Sequence, residues 1–492
     1  MQKSTRRLYL DLLTWTIVFA LSIAGIWMRL HFLNVPFDRD SFDEGVYWQS
    51  LRSMSTGASL YQQIFYSQPP FFLLSIYPFY TLLGQTIWAA RLGIATISLF
   101  GFLGALLLGK ALAGRLGMIL ALLLLVASPV YLAGSQILQA DAPSTGLTLL
   151  AVGLAYLWWK RPDGSVGYLL ATLTGIVLAL SILIKLLALP ALIPISILAC
   201  AHLWIERRQA VRPLLFGCAA FILTAILLFL PFIHAFPQLW QTVVSFHTAA
   251  KGDYLEIRRE RNADLIRSAL MTPLFLCALY GIFAALVRRD WRVIPLLAWF
   301  VATIFLLWEQ APLMPHHLIA VISPLVALSV IGISPRLTMK KRYGSINTII
   351  TAIAIIIMLW QSIVNLQTIQ ASYTNLRNMS NPIVMQHDMG VVRDLEHFTR
   401  PGQLVITDAQ FIVAMADRST PANLVDTSFV RINSQYITTQ QLITEASSTK
   451  IDAVLFYTHR LETMKPSFYS WVQQHFHLVR SYGDKTGLWI KN

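Results

Sequence analysis

The stretch that decides the fold is LYLDLLTWTIVFALSIAGIWMRLHFLNVPFDRDSFDEGVYW, residues 8–48. Its first part, to about residue 33, is apolar for longer than a bilayer core requires. Its second part packs Asp38, Asp40, Asp43 and Glu44 into seven residues. Lys3, Arg6 and Arg7 precede the apolar run. The run is too long for the hydrophobic core of a signal peptide and ends in no A-x-A-like site, so it is read as an uncleaved first span.

The same pattern governs most of the chain. It has 492 residues, is 56% hydrophobic and 13% charged, and has a mean hydropathy of +0.59. Such values mark a polytopic membrane protein. Apolar runs of spanning length fall near 8–33, 88–109, 116–135, 142–159, 166–184, 186–205, 213–234, 268–287, 293–308, 317–334 and 346–364. The expected fold class is therefore an α-helical polytopic membrane protein of about 11 transmembrane helices, with a small C-terminal α/β domain on the far side.

The formal net charge of +14 does not point to nucleic acid. Most Lys and Arg fall between spans, at Lys110/Arg115, Lys160/Arg161, Arg207/Arg208/Arg212, Arg288/Arg289/Arg292 and Arg336/Lys340/Lys341/Arg342. With the N-terminus inside, every one of these clusters lies on the cytoplasmic side. The segment FFLLSIYPFYTLLG (71–84) is too short to cross, and counting it as a span would break that order. It is read as an interfacial or re-entrant outer helix. Two long outer loops result, 34–87 and 235–267. The second carries Arg258, Arg259, Arg261 and Arg267 against the positive-inside pattern. Cys200, Cys218 and Cys277 all lie in apolar runs and imply no disulfide framework.

From about residue 366 the apolar runs shorten to strand length, in QLVITD (403–408) and DAVLFY (452–457). Helical patterns lie near 390–399, 438–447 and 461–475. The expected division is a transmembrane domain over 1–365 and an extracytoplasmic α/β domain over 366–492.

Charged candidates gather at the outer ends of spans. The acidic cluster has three readings: a solvated loop, a cation site, or a general base acting on a hydroxyl. In DEGVYWQSL, Asp43, Tyr47 and Leu51 recur at helical spacing, so acid and aromatic share one face. Tyr66 and Gln68 then lead through Pro69-Pro70 into the outer helix. Arg91 stands at the outer end of the second span. Asp141 opens the fourth, either as a functional carboxylate or as a first-turn acid complementing the helix dipole. Lys185 either snorkels or neutralises a lipid phosphate. His316 and His317 share a loop with Glu309, as interfacial residues or as donors to a phosphate. Asp43, Glu44, Asp141 and Glu309 are oxygen ligands that suit a divalent cation if they converge. In the C-terminal domain, Asp408 and residues 423–432 offer a crevice at a strand end, against a plainer role in packing over the site or recruiting an acceptor.

The ordered set resembles the GT-C superfamily of membrane glycosyltransferases that use polyprenyl-phosphate sugars. In particular it is similar to the branch of protein O-mannosyltransferases and the lipid A aminoarabinose transferase. The set is Asp43-Glu44-x-x-Tyr47, then x-Pro69-Pro70, Ala89-Ala90-Arg91-Leu92, Asp141-Ala142-Pro143, and a His316-His317 loop before SPLVAL (323–328). It covers about residues 1–335. The resemblance implies an active site on the first outer loop, Asp43 as the catalytic base, Asp141 as the second acid, and His316/His317 near the lipid phosphate. Gln68 departs from the charged residue that relatives often carry there.

The implied reaction moves a sugar from a polyprenyl-phosphate donor to a hydroxyl of a lipid, glycan or protein, with inversion. Arg91, Lys185, His316/His317 or the Arg258/Arg259/Arg261 stretch would stabilise the leaving phosphate. The catalytic set expected is Asp43, Asp141 and Glu44. The substrate-binding set is Tyr47, Tyr66, Gln68, Arg91, Lys185, His316 and His317. Expected partners are the donor, a hydroxyl acceptor and membrane lipids, with no nucleic acid. The expected location is the bacterial inner (plasma) membrane, N-terminus cytoplasmic. A transporter or flippase for lipid-linked sugars is the alternative. It would place polar groups along a mid-membrane path, whereas these lie at span ends. A binding protein anchored by its spans would concentrate its ligand contacts in the C-terminal domain.

Overall fold

The computed structural model describes residues 2–31, 33, 42–161, 164–205, 207–253, 255–334, 344–378 and 383–492. Asp38 and Asp40 of the acidic stretch lie outside the described residues, as do the side chains of Arg258 and Arg259. The helices of the apolar part are α1 (Gln2–Leu30), α2 (Phe42–Ser55), α3 (Phe71–Leu82), α4 (Ile87–Ser98), α5 (Phe100–Val126), α6 (Pro129–Gly134), α7 (Asp141–Lys160), α8 (Gly164–Ile184), α9 (Leu192–Ile205), α10 (Arg207–Phe229), α11 (Phe236–Trp240), α12 (Phe246–Asp253), α13 (Leu255–Leu270), α14 (Pro273–Val287), α15 (Val293–Glu309), α16 (Ile322–Ile331) and α17 (Gly344–Asn378).

Each of the eleven apolar runs is helical. Six described helical stretches are long and apolar enough to cross a membrane, or seven if the bent pair Glu260–Leu270 and Pro273–Val287 counts as one. Shorter apolar helices include Phe71–Leu82, the segment too short to cross. The stretch Ile87–Val126 holds two of the expected runs. It reverses at Ala113 and Gly114, where Gly114 adopts φ +66°. Only glycine takes that backbone readily, and the turn sits between Lys110 and Arg115, where a loop was expected. Large apolar side chains stay on the surface, among them Phe19 (67% exposed), Ile226 (54%) and Phe305 (67%). An apolar surface of this kind faces lipid.

At the end opposite α2, Arg288 and Arg292 are buried, while Lys110, Arg115, Lys160, Arg161, Arg212 and Arg289 stay exposed. Arg292 pairs with Asp290 and donates to the Ala111 and Leu112 carbonyls at 3.2 Å. Arg288 donates to Asn347 and Thr351 at 2.8 and 2.9 Å. Arg292, and Arg288 through the Gly332 carbonyl, satisfy carbonyls that a helix end leaves without partners.

The α17 helix runs on to Asn378, past the change in composition near residue 365. Beyond it come α18 (Ile383–Phe398), β1 (Leu404–Thr407), α19 (Gln410–Met415), α20 (Phe429–Asn433), α21 (Thr439–Ser447), β2 (Ile451–Phe456), α22 (Leu461–Met464), α23 (Pro466–His475), β3 (Phe476–Gly483) and β4 (Thr486–Lys491). The four strands form one sheet in the order β1-β2-β4-β3. The β1–β2 pair is parallel, and both β4 pairings are antiparallel. The sequence reading anticipated β1 and β2 but not the β3–β4 hairpin. Its turn signal was the Gly483-Asp484 pair.

One face of α2 is held by this C-terminal region. Trp48 packs edge-on against Phe411. Gln49 donates to the Gln410 and Arg418 carbonyls at 3.3 and 3.1 Å, and its Oε1 accepts from the Thr420 N–H at 3.2 Å. Arg52 pairs with Asp417 at 2.9 Å. Gly45 lies on the same face, where a Cβ would stand 2.4 Å from the Phe411 nitrogen. Gly45→Val therefore has to push α19 away from α2. It is expected to cost about 1–3 kcal/mol and to lower activity, read as a drop in thermal unfolding temperature and in turnover. An unchanged unfolding temperature would contradict this close approach.

Candidate active site

The remaining face of α2 looks into a crevice. Asp43 and Tyr47 are one helical turn apart on it. Tyr47 packs edge-on against Phe72 at 4.9 Å and against Tyr66 at 6.4 Å. The outer loop and α3 thus form its aromatic wall. Tyr66 is buried, and the neighbouring Gln68 carbonyl accepts from the Tyr61 hydroxyl at 2.8 Å.

Asp43 lies 3.6 Å from His316 Nε2, and its side chain remains 40% exposed. The protein walls around it nevertheless displace much of its water, and this desolvation pushes its pKa above the usual carboxylate range. His316 and Lys185 oppose that shift, while Asp141 and Asp426 add to it. Burial likewise raises the Tyr47 hydroxyl, with Asp43 as the largest charge adding to it. Tyr47 therefore remains neutral, as a hydrogen-bonding group.

Asp141 starts α7, and both its oxygens accept from Lys185 Nζ at 2.8 Å. Both side chains are buried. Asp141 does occupy the first turn of α7, and its carboxylate turns toward Lys185 rather than capping the helix. Lys185 neither snorkels nor stands free for a phosphate, because Asp141 holds it. A crevice beside the pair is lined by Ser144, Thr148, Trp299, Thr303 and Ser323.

His316 and His317 belong to the turn Pro315–Val321 that leads into α16. His317 Nδ1 accepts from the Met314 N–H at 3.2 Å, which makes Nε2 the donor of the neutral ring. One ligand atom each from Asp141, His316 and His317 fall within 4.8 Å of one another. This grouping is not the carboxylate set expected for a cation. Glu44 is committed elsewhere, and the Lys185 ammonium sits on both Asp141 oxygens. An ammonium in that place repels a dication, so these residues do not fit a resident divalent metal.

Glu44 and Arg91 are engaged with each other rather than with the crevice. Glu44 is 1% exposed. Its carboxylate takes a two-pronged pair from Arg91, at 2.9 and 2.6 Å, and also accepts from the Leu138 N–H at 2.6 Å. Arg91 Nη1 donates to the Leu33 carbonyl at 3.1 Å. The pair faces inward, so Glu44 is not a second base and Arg91 is not open to a phosphate. It joins Leu33, just past α1, to α2, α4 and Leu138, three residues before Asp141. Two residues near the site escaped the sequence reading as individuals. His247 of α12 has its Nε2 2.9 Å from the Ser67 carbonyl. Asp426 sends its charge to Asp43 and Tyr47. Neither falls in a recognisable short motif.

Residues 16–249 match the family model described as dolichyl-phosphate-mannose-protein mannosyltransferase. In three dimensions the chain is similar to ArnT from Cupriavidus metallidurans bound to undecaprenyl phosphate, with TM-score 0.57, 14% identity, and 97% of each chain covered. The apo state of the same protein gives TM-score 0.57 at 13% identity over the same shares. The chain has the GT-C fold. The apo oligosaccharyltransferase of Archaeoglobus fulgidus, at TM-score 0.52 and 13% identity, covers 93% of this chain and 71% of its own. No curated protein matches the chain in sequence. Within this GT-C frame, Asp43, Asp141, Lys185 and the His316/His317 pair come from four separate stretches of chain and meet in one crevice.

Proposed function

We propose that the protein transfers a sugar from a polyprenyl-phosphate donor to an acceptor hydroxyl at the outer membrane face, with Asp43 as general base. The convergence of Asp43, Asp141, Lys185, His316 and His317 carries this reading. Asp43 is the least committed carboxylate of the group, and its raised pKa suits proton abstraction near neutral pH. The acceptor proton passes to an Asp43 oxygen as the hydroxyl oxygen bonds to the anomeric carbon. The bond from that carbon to the phosphate oxygen breaks, and the polyprenyl phosphate leaves as an anion. A single displacement of this kind inverts the anomeric centre.

The Asp141–Lys185 pair places a positive end beside the crevice without adding net charge. His316, at 3.6 Å, orients the Asp43 carboxylate, and His317 offers Nε2 to the leaving phosphate. Tyr47 and Tyr66 form the aromatic wall that holds the sugar. The C-terminal domain is extracytoplasmic and fixes the back of α2.

The test is a panel of polyprenyl-phosphate sugars offered to the protein in nanodiscs, with and without hydroxyl acceptors, following release of free polyprenyl phosphate. Release is expected with at least one donor, unchanged by excess chelator. A folded preparation that binds lipid-linked sugar and releases nothing would favour a transporter.

A further inference from the structure

The segment 426–436 reaches the site from the C-terminal domain. Arg431 of α20 is 5% exposed. Its guanidinium carbon sits 3.7 Å over the ring of Phe65, the residue before Tyr66 in the aromatic wall. Nη1 donates to the Asp426 carbonyl at 2.6 Å. Nε is buried with no acceptor, an expensive state for a donor. Phe65 in turn packs edge-on against Phe246 and Tyr436, at 5.4 and 6.2 Å. Three segments thus fix the guanidinium plane: the first outer loop, α12 and α20.

The nearby cations differ from it. Lys185 has Asp141, and Arg91 has Glu44. Arg431 is held by a backbone carbonyl and an aromatic face, neither of which cancels its charge. Burial draws its pKa down to about 10, with Asp426 resisting, so it stays a cation at neutral pH. A planar guanidinium of fixed orientation with an unpartnered Nε is shaped to take two oxygens of a phosphate.

We propose that Arg431 is an anion-binding residue of the substrate site, so that the C-terminal domain completes the site. The ligand chemistry is a phosphate group, carried either by the lipid-linked donor or by the acceptor. Naming those carriers rests on the transferase reading; the binding itself does not.

The test uses the full chain in nanodiscs of zwitterionic, net-neutral phosphocholine lipid. Polyprenyl phosphate, neutral polyprenol and inorganic phosphate are titrated in turn, with ligand-dependent thermal stabilisation as the readout. Arg431→Gln is expected to weaken polyprenyl phosphate about tenfold or more, in line with the ~1.5–3 kcal/mol of a hydrogen bond to a charged group, and to leave neutral polyprenol unchanged. Loss of inorganic phosphate binding with polyprenyl phosphate unaffected would also support the anion site and assign it to the acceptor. Arg431→Lys keeps charge but loses the fork, and covers the case in which the Gln variant does not fold. It is expected to weaken binding to a smaller degree. Affinities equal to wild type for both phosphates in a folded variant would overturn the proposal and leave Arg431 as a latch on Phe65. Absence of transfer activity in wild type would sink the transferase reading while leaving these binding differences intact.

Discussion

Asp43→Asn is expected to reduce sugar transfer about 10²–10⁴-fold while leaving the protein folded and able to bind donor. Asparagine has nearly the volume of aspartate and keeps an oxygen toward His316. It cannot take the acceptor proton. The loss should fall on turnover, because Asp43 acts on the proton in flight and not on the bound lipid. The pH dependence gives a second check. A general base works only when deprotonated, so activity rises with pH through the pKa of Asp43. Burial raises that pKa, so the acidic limb of the profile should lie above the ordinary carboxylate range and vanish in the variant. The same direction affects stability. A carboxyl whose folded pKa is raised favours the folded state when protonated, so that contribution fades as pH climbs from the unfolded pKa through the folded one. Asp43→Asn, neutral at all pH, should be at least as stable as wild type at neutral pH. A variant retaining near wild-type transfer would remove Asp43 from the chemistry.

Spacing and charge made the spans, the short α3 and the acid–aromatic face of α2 legible, because a helix repeats its faces at fixed intervals. The pairings were not legible. Asp43 and Glu44 are adjacent and chemically alike, yet successive helical positions point in different directions, one into the crevice and one into the packed interior. Nothing in the sequence ties Glu44 to Arg91 or Asp141 to Lys185. Those partners are 47 and 44 residues apart, and only tertiary packing selects them. The end of α17 was not legible either. Residues 365–378 hold no Gly or Pro to stop a helix, so α17 continues through the change in composition to Asn378. Residues 423–432 stood out as a strand-end crevice, but local sequence does not show that Asp426 within them faces Asp43 and Tyr47.

Glu44→Ala should be among the most destabilising single changes near the site. Both partners are nearly sealed from water, with side-chain exposures of 1% for Glu44 and 5% for Arg91. Removing Glu44 takes from buried Arg91 its two-pronged carboxylate partner, at about 3–5 kcal/mol. That is a large share of the roughly 5–15 kcal/mol by which folded proteins are stable. The Leu138 N–H would also lose its acceptor. Leu138 lies three residues before Asp141, and Glu44 follows Asp43, so this one carboxylate ties the segments of both candidate catalytic acids together. Activity should fall with the loss of that alignment. The two acids then separate by experiment. Asp43→Asn should lose turnover and keep its thermal unfolding temperature, whereas Glu44→Ala should lose both. Replacing both partners by apolar residues of similar size, as in Glu44→Leu with Arg91→Met, should restore part of the stability, because no buried charge is then left alone. If Glu44→Ala unfolds at the wild-type temperature and is merely slow, Glu44 is a catalytic group and its pairing with Arg91 is incidental.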